Sequence, residues 1–393
     1  GRNVQNGNDL HTNFKIHQTK GNEWVILTAP DGLTVIDSVF VKPCLTNQSR
    51  GRYTDGAEEW GVFTNPSPMA ANNNAFERYA NTPNFSTAPG FYPSSVSVTL
   101  STTEQNAEIY YTTDGSYPNI GSNLYTNPID ISATTVVKAT TVSANAQILN
   151  SFMEYGTFFI NETFTMPVLS VSGDEIDELL SGDEIKPLGT FEYYKQNGEL
   201  ADKARGEFNE HGNDSWGYDQ RGFDYITRDQ LGYNYAIKDE LFRTKNRNKY
   251  QRLIIKAAAN DNYPFAYGGS GAHIRDSYVQ SLSQIADLRM DERSFEPCIL
   301  FSNGEYWGLY EIREKVDDKD FTDYYYDQDS VSFLKTWGGT WVDVISDGQT
   351  EQSVEDDWEA IRNYITSNDM SIPENYNYAK SVFNMGSLID YFI

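Results

Sequence analysis

The 393-residue sequence predicts a multidomain chain: two N-terminal β-sandwich modules, the first of them partial, followed by an α+β domain. Three observations lead there. The length accommodates two to four domains of roughly 100–200 residues. The charge is partitioned: residues 1–80 hold 7 basic and 8 acidic side chains, residues 81–162 hold one basic (Lys138) and 6 acidic, and residues 163–393 hold 22 and 42. The net −26 therefore divides as −1, −5 and −20. Finally, the first two segments show strand alternation, whereas the third adds apolar residues at helical spacing.

In the first module, Glu23-Trp24-Val25-Ile26-Leu27 and Thr34-Val35-Ile36-Asp37-Ser38-Val39 read as strands around Pro30-Asp31-Gly32, a turn in which glycine supplies positive φ. Two strands are too few for an independent core. Pro66 to Asn74, with three consecutive Asn, reads as a linker, and the module is placed at 1–75. In the second, placed at 83–160, Val96, Val98 and Leu100 alternate with Ser and Thr. Glu108-Ile109-Tyr110-Tyr111-Thr112 ends at the turn Asp114-Gly115-Ser116, and Thr135-Val136-Val137-Lys138-Ala139 follows; strands at this spacing predict a small sandwich. In the third, placed at 165–393, Tyr250 to Ala258 and Pro297 to Phe301 read as strands. Ile274, Tyr278, Leu282 and Ile285 read as the buried stripe of a helix, and Ser353 with Asp356 as a capping box opening another. The apolar stretch Leu388 to Ile393 has no Gly or Pro stop. The expectation is a fragment of a larger protein, with residues 386–393 forming a helix whose apolar side is incompletely covered.

Composition narrows the function classes. A charge of −26 argues against nucleic acid as a partner, because phosphate binding needs a basic face. An aromatic content of 14% marks a core-forming chain, and no run approaches the ~20 apolar residues of a membrane span. Cys44 and Cys298 form neither a disulfide framework nor a CxxC pair, and Cys298, within Pro297 to Phe301, reads as a buried thiol. His11, His17, His211 and His273 show no HExxH spacing, and there is no GxSxG elbow.

The motifs also carry resemblances. Leu10 to Lys15, Asp31-Gly32, Ser49-Arg50-Gly51-Arg52, Asp55-Gly56 and Pro68 to Asn72 resemble the second half of a lamin-tail domain, an immunoglobulin-like sandwich. Pro89-Gly90-Phe91-Tyr92, Ile109 to Ser116, Pro118, Leu124-Tyr125 and Pro128-Ile129 resemble the chitobiase C-terminal sandwich. Ile274-Arg275-Asp276, Asn303 to Tyr310 and Glu314-Lys315-Val316 resemble the CotH family, named after a bacterial spore-coat protein kinase. The resemblance implies a secreted or surface-exposed bacterial protein with a kinase-like α+β domain. Its activity would be phosphoryl transfer from ATP, with Mg2+ or Mn2+, to a secreted or cell-surface protein. The family's metal-binding aspartate motif normally follows the helix that here ends at Ile393, which makes this segment alone expected to be inactive. Both sandwiches are expected to be spacers or adhesion modules.

Five residues are candidates for holding nucleotide: Ser215, Arg221, Asp261, Arg275 and Glu314. Ser215 and Arg221 stand where the family has a Gly/Ser segment followed by a basic residue; Arg221 otherwise reads as a surface arginine paired with Asp219 or Asp224. Arg275 follows Gly268-Gly269-Ser270-Gly271 at a helix N-terminus, a natural anion site, or is a solvated arginine after a surface loop. Glu314 reads as orienting a basic residue beside Lys315, or as a strand-end salt bridge; Asp261 as meeting ligand at the sheet edge, or as a turn former. The run Asp317-Asp318-Lys319-Asp320 to Asp329 lacks EF-hand spacing and reads as a solvated acidic face rather than a calcium loop. Tyr324-Tyr325-Tyr326, Trp337 and Trp341 read as core at strand alternation, or as a sugar-stacking platform. The competing function is therefore a non-catalytic surface module that binds protein or cell-wall glycan.

Overall fold

The computed structural model describes residues 5–6, 9–10, 16–262, 271–336 and 338–393. The two predicted strands of the first module form an antiparallel hairpin, Trp24–Thr28 with Val35–Phe40, and Ser49–Arg52 with Trp60–Phe63 form a second. The first hairpin leaves Trp24, Ile26, Leu27 and Ile36 exposed, whereas Val62 and Phe63 of the second are buried.

The second module is a sandwich. Its main sheet runs Asn123–Leu124, Ala107–Thr112, Thr135–Ser143, Glu154–Ile160 and Gly90–Tyr92 in spatial order, opposed by Val96–Val98 with Ile129–Ile131. Val98, Leu100, Ile109, Ile131, Val137 and Phe158 fill the space between, so the alternation read at Val98 and Leu100 is a true burial pattern.

The third region holds strands and helices, but its strands close into a barrel, which the sequence patterns did not foretell. A kinase-like α+β layout is not what this topology displays. We label its strands β1 (Val168–Ser172), β2 (Leu188–Tyr194), β3 (Leu200–His211), β4 (Gly222–Thr227), β5 (Arg252–Lys256), β6 (Phe295–Ser302) and β7 (Glu305–Glu314). Their order is β1-β2-β3-β4-β5-β7-β6, closed by the parallel pair Val168↔Ile299. Leu169, Val171, Phe191, Phe208, Tyr225, Leu253, Ile255, Cys298, Leu300 and Ile312 point inward, and Cys298 is fully buried as expected. The helix α1 (Ile176–Ser181) and the segment holding Ile237, Leu241 and Phe242 add side chains to the same core.

The register defines two mouths. Ser172↔Thr190, His211↔Gly222, Phe223↔Ile255 and Ser302↔Glu305 stand at one; Val168↔Tyr194 and Phe295↔Arg313 stand toward the other. On the outer wall, Val168, Tyr194, Ile299 and Phe301 share a core with Phe91 and Phe159 of the sandwich, whose stacked rings lie 4.4 Å apart.

Helix α2 (Arg275–Ile285) forms where helical spacing predicted it, but with the opposite face buried. Ile274, Tyr278, Leu282 and Ile285 are 56, 59, 46 and 82% exposed, while Ser277 and Ser283 are buried against Glu311 and Glu292. The helix docks through a charged network on β7, and hydroxyls suit that contact better than leucines. α3 (Lys319–Tyr326) carries the three consecutive tyrosines, so they stand on a helix rather than at strand alternation. α4 (Glu351–Ser367) starts one residue after Thr350, whose hydroxyl and Ser353 form the capping box; the box lies three residues upstream of the expected one. α5 (Pro373–Val382) and α6 (Met385–Tyr391) follow, and Ile389, Tyr391, Phe392 and Ile393 are exposed as expected.

Candidate functional site

At the first mouth, β3 and β4 are joined by the loop 212–221, and β5 ends on Lys256. A cavity of ≈ 90 Å³ lies beneath this loop, lined by His211, Ser215, Gln220, Lys256, Ala257 and Ala259 among others. The loop bends at Gly212 (φ 131) and is braced by Gln220, whose amide donates to the Trp307 carbonyl at 3.4 Å. Gly308 (φ 134) permits that approach, because a Cβ there would run into Gln220. This gives a local reason for the Trp307-Gly308 dipeptide in the Asn303 to Tyr310 motif. Just past β5, Ala258 (φ 57) and Ala259 (φ 48) are both left-handed, a conformation costing non-glycine residues roughly 1–2 kcal/mol each.

Lys256 is the basic group of the cleft. Its Nζ lies 2.6 Å from Asp276 Oδ2, in the first turn of α2. Asp276 also pairs with Arg313, which pairs in turn with Glu311, and Glu311 accepts the Ser277 hydroxyl. Burial pushes the Lys256 ammonium down and Arg313 adds to the effect, while Asp276 opposes it. Burial would raise the Asp276 carboxyl, but Arg313 and Lys256 hold it well below the usual carboxylate range. A strand lysine is thus fixed by a helix carboxylate directly beneath a loop.

The five expected residues divide. Ser215 lines the cavity with Lys256. Asp261 and Arg275 come together, with Arg275 Nε 3.0 Å from Asp261 Oδ1. The buried Asp261 carboxylate also accepts the amides of Ala272, Ile274 and Arg275 at 2.9–3.0 Å. It therefore occupies the helix N-terminus that was read as an anion site, from the end of the turn Ala259–Asp261. Burial would raise its carboxyl, but those amides hold it below the ordinary value. Gly268, Gly269 and Ser270 lie outside the described residues.

Arg221 donates to the carbonyls of Trp216 and Leu180, each at 2.8 Å, and covers the Trp216 ring. It ties the loop to the C-terminus of α1 and pairs with neither Asp219 nor Asp224 through their carboxylates; a fork of donors suits two carbonyls. Glu314 is buried and reaches Arg247 at 3.1 Å and the Tyr325 hydroxyl at 3.0 Å. The basic residue it holds is Arg247. Burial raises its carboxyl. It stands opposite Leu253, three residues or roughly 10 Å down the strand from Lys256, so it does not belong to the cleft.

The acidic run is not simply solvated. Asp317 meets Lys335 at 2.7 Å, Asp318 caps α3 and meets Arg252 at 3.0 Å, and Asp320 pairs with Arg247. Tyr324 and Tyr325 enclose the Arg247 guanidinium at 4.9 and 5.8 Å, which accounts for them without a sugar. Trp337 lies outside the described residues, and Trp341 sits in the hairpin Phe333–Thr336 with Thr340–Val344. A larger cleft of ≈ 640 Å³ opens at the other mouth, where Lys195 pairs with Asp239 and Arg243 with Glu296. Its cations are largely neutralised from within.

Lys256, Asp276, His211 and Asp224 were not foreseen as site residues. The available signals were a lysine closing the apolar run Leu253-Ile254-Ile255, and a carboxylate in the first turn of the next helix. No curated protein matches the chain. Residues 87–148 match the chitobiase/beta-hexosaminidase C-terminal domain, and residues 211–393, which hold the cleft, match the CotH kinase protein family; the chain joins a chitobiase-type C-terminal domain to a CotH kinase family region.

Proposed function

We propose that the chain belongs to a phosphotransferase that moves a phosphoryl group from ATP to a hydroxyl of a secreted or cell-surface protein. The observation that carries the reading is the Lys256–Asp276 pair at 2.6 Å beneath the 212–221 loop, within the CotH-matched region. Protein kinases use a strand lysine fixed by a helix carboxylate under a covering loop to hold ATP's phosphates. Phosphoryl transfer depends mainly on such positioning and charge neutralisation.

The residues present fit a phosphate better than a whole nucleotide. Lys256 supplies a fixed positive charge, Gly212 lets the loop backbone approach, and Ser215 offers a hydroxyl. At ≈ 90 Å³ the cavity is below the ~300–1,000 Å³ of most ligand sites. Among the described residues no three His, Cys, Asp or Glu side chains gather as a metal centre requires, so no step is assigned to Mg2+ or Mn2+ here. In this reading Ser215 stays with the phosphate site, whereas Arg221, Asp261 and Arg275 hold the loop and the helix that frame it.

Calorimetry of the whole chain with ATP and Mg2+ or Mn2+ tests this. The expected result is a heat of binding that falls at least tenfold in affinity in Lys256→Met. Absence of binding with either metal would leave the competing surface-module reading in possession.

A further inference from the structure

One pair of titratable groups in the cleft has no part in the scheme above. His211 ends β3 and Asp224 lies on β4, on the same face two residues beyond the position opposite His211. His211 Nδ1 is 2.8 Å from Asp224 Oδ1, and Asp224 Oδ2 is 3.0 Å from Lys315 Nζ. The imidazole is mostly buried yet lines the cavity beside Ser215 and Lys256. With Nδ1 facing the carboxylate, the ring edge carrying Nε2 is the one turned away from it. A carboxylate this close to Nδ1 favours a proton on that nitrogen and a lone pair on Nε2.

Resting on the phosphotransferase reading, we propose that the Asp224–His211 pair is the proton acceptor of the cleft, serving the hydroxyl of an incoming serine, threonine or tyrosine side chain. As the hydroxyl oxygen bonds to the transferred phosphorus and the bond from phosphorus to the nucleoside diphosphate breaks, the O–H proton passes to His211 Nε2. The charge that develops on the imidazolium faces Asp224. The groups around the ring set its protonation. Burial lowers the imidazole, Asp224 from β4 raises it, and Lys315 after β7 and Arg293 before β6 lower it again; Lys256 from β5 shares its cavity. The net direction is downward, so the ring is neutral and able to accept a proton near pH 7.

The test uses the whole chain, 15N-labelled at histidine. At pH 7 the His211 nitrogens should report a protonated Nδ1 and an unprotonated Nε2, and Asp224→Asn should remove that preference while keeping side-chain size. With ATP, Mg2+ and dephosphorylated casein as the acceptor, His211→Gln should lower transfer by about 10²–10⁴-fold and erase the acidic limb of the pH profile. A proton found on Nε2, or full transfer with an unaltered pH profile in His211→Gln, overturns the proposal. If ATP gives no heat of binding to the wild type, the phosphotransferase reading falls first, and the proposal with it; ATP binding with an indifferent His211→Gln defeats the proposal alone.

Discussion

The wall between sandwich and barrel offers the sharpest test of how the molecule holds together. Glu192 is fully buried on the outer face of β2 and accepts the Thr157 amide at 3.1 Å, the Thr157 hydroxyl at 2.6 Å and the Tyr194 hydroxyl at 2.8 Å. Thr157 belongs to the sandwich strand Glu154–Ile160, so two of the three bonds cross between modules. Replacing Glu192 with Leu keeps the volume similar and removes every acceptor. The Thr157 hydroxyl retains Ser170 at 2.7 Å, and the Tyr194 hydroxyl retains the Thr157 carbonyl at 3.3 Å. The Thr157 amide loses its side-chain acceptor. An orphaned buried donor costs about 1–3 kcal/mol and each of the two weakened bonds about 0.5–1.5 kcal/mol, so Glu192→Leu should destabilise the protein by roughly 2–6 kcal/mol. Urea unfolding followed by circular dichroism gives the total. Hydrogen exchange resolved over residues 135–160 and 188–211 shows whether sandwich and barrel loosen together. A loss below about 0.5 kcal/mol, or exchange that rises in the barrel alone, would refute the claim that this carboxyl group couples the two.

Two further substitutions probe buried charge. Lys138 is fully buried, with Nζ donating to the Gly115 carbonyl at 2.5 Å, and burial brings its ammonium down to about 7 despite Asp174, Glu192 and Asp114 nearby. The unfolded chain, with an ordinary lysine, then binds the extra proton between pH ~7 and ~10.5, so stability should rise with pH across that window by up to ~5 kcal/mol. Urea midpoints at pH 7 and 9.5 should show the rise in wild type and a flattened profile in Lys138→Met. Asp261→Ala removes the acceptor of three amides at the start of α2, and should cost about 2–4 kcal/mol, with faster hydrogen exchange at residues 272–276 and little change in β1 and β2. The folded Asp261 carboxyl lies below its ordinary value, so its contribution is present above pH ~4 and fades as acid approaches the folded value; Asp261→Ala should be correspondingly less sensitive to acid.

Local patterns were legible where neighbours in sequence decide the outcome. The sandwich strands at 107–112 and 135–143, the strand ending at Lys256, helix α2 and the buried Cys298 all follow from alternation or helical spacing. What the patterns could not convey was the partner across space. Helical spacing at Ile274, Tyr278, Leu282 and Ile285 marks a helix, but burial of the serine face depends on Glu311, more than 30 positions from Ser277 in sequence. Arg221 was weighed against nearby carboxylates, whereas its partners are carbonyls, including one on α1, 41 residues away. Asp261 and Arg275 were each identified but not paired, because residues 14 apart in sequence meet only through the tertiary fold. The cleft's own lysine went unnoticed for a related reason: a lone lysine closing a strand is ordinary until Asp276 is seen 2.6 Å away.

The packing also bears on what the sandwich is for. A spacer needs only a small, separable contact with the domain it carries. Here Phe91 and Phe159 enter the same core as Tyr194, Ile299 and Phe301, and a buried carboxyl group bridges β2 to the sandwich. The barrel strands touching that wall include β1, β2, β3 and β6, and β1, β2 and all of β3 but its last residue precede the CotH match at residue 211. The β6–β7 turn carries the contact toward the cleft: Asn303 bonds Asp177 of α1 at 2.8 Å, its neighbour Gly304 lies near Thr134 and Val136 of the sandwich, and Arg221 holds the other end of α1 to the cleft loop. Contact therefore runs unbroken from sandwich to turn, from turn to α1, and from α1 to the loop over Lys256. A segment trimmed to residues 211–393 would lose β1, α1, β2 and most of β3, and with them the carbonyl of Leu180 that anchors Arg221. The loop over Lys256 is framed by residues on both sides of the family match, so the cleft depends on barrel strands that the match does not include.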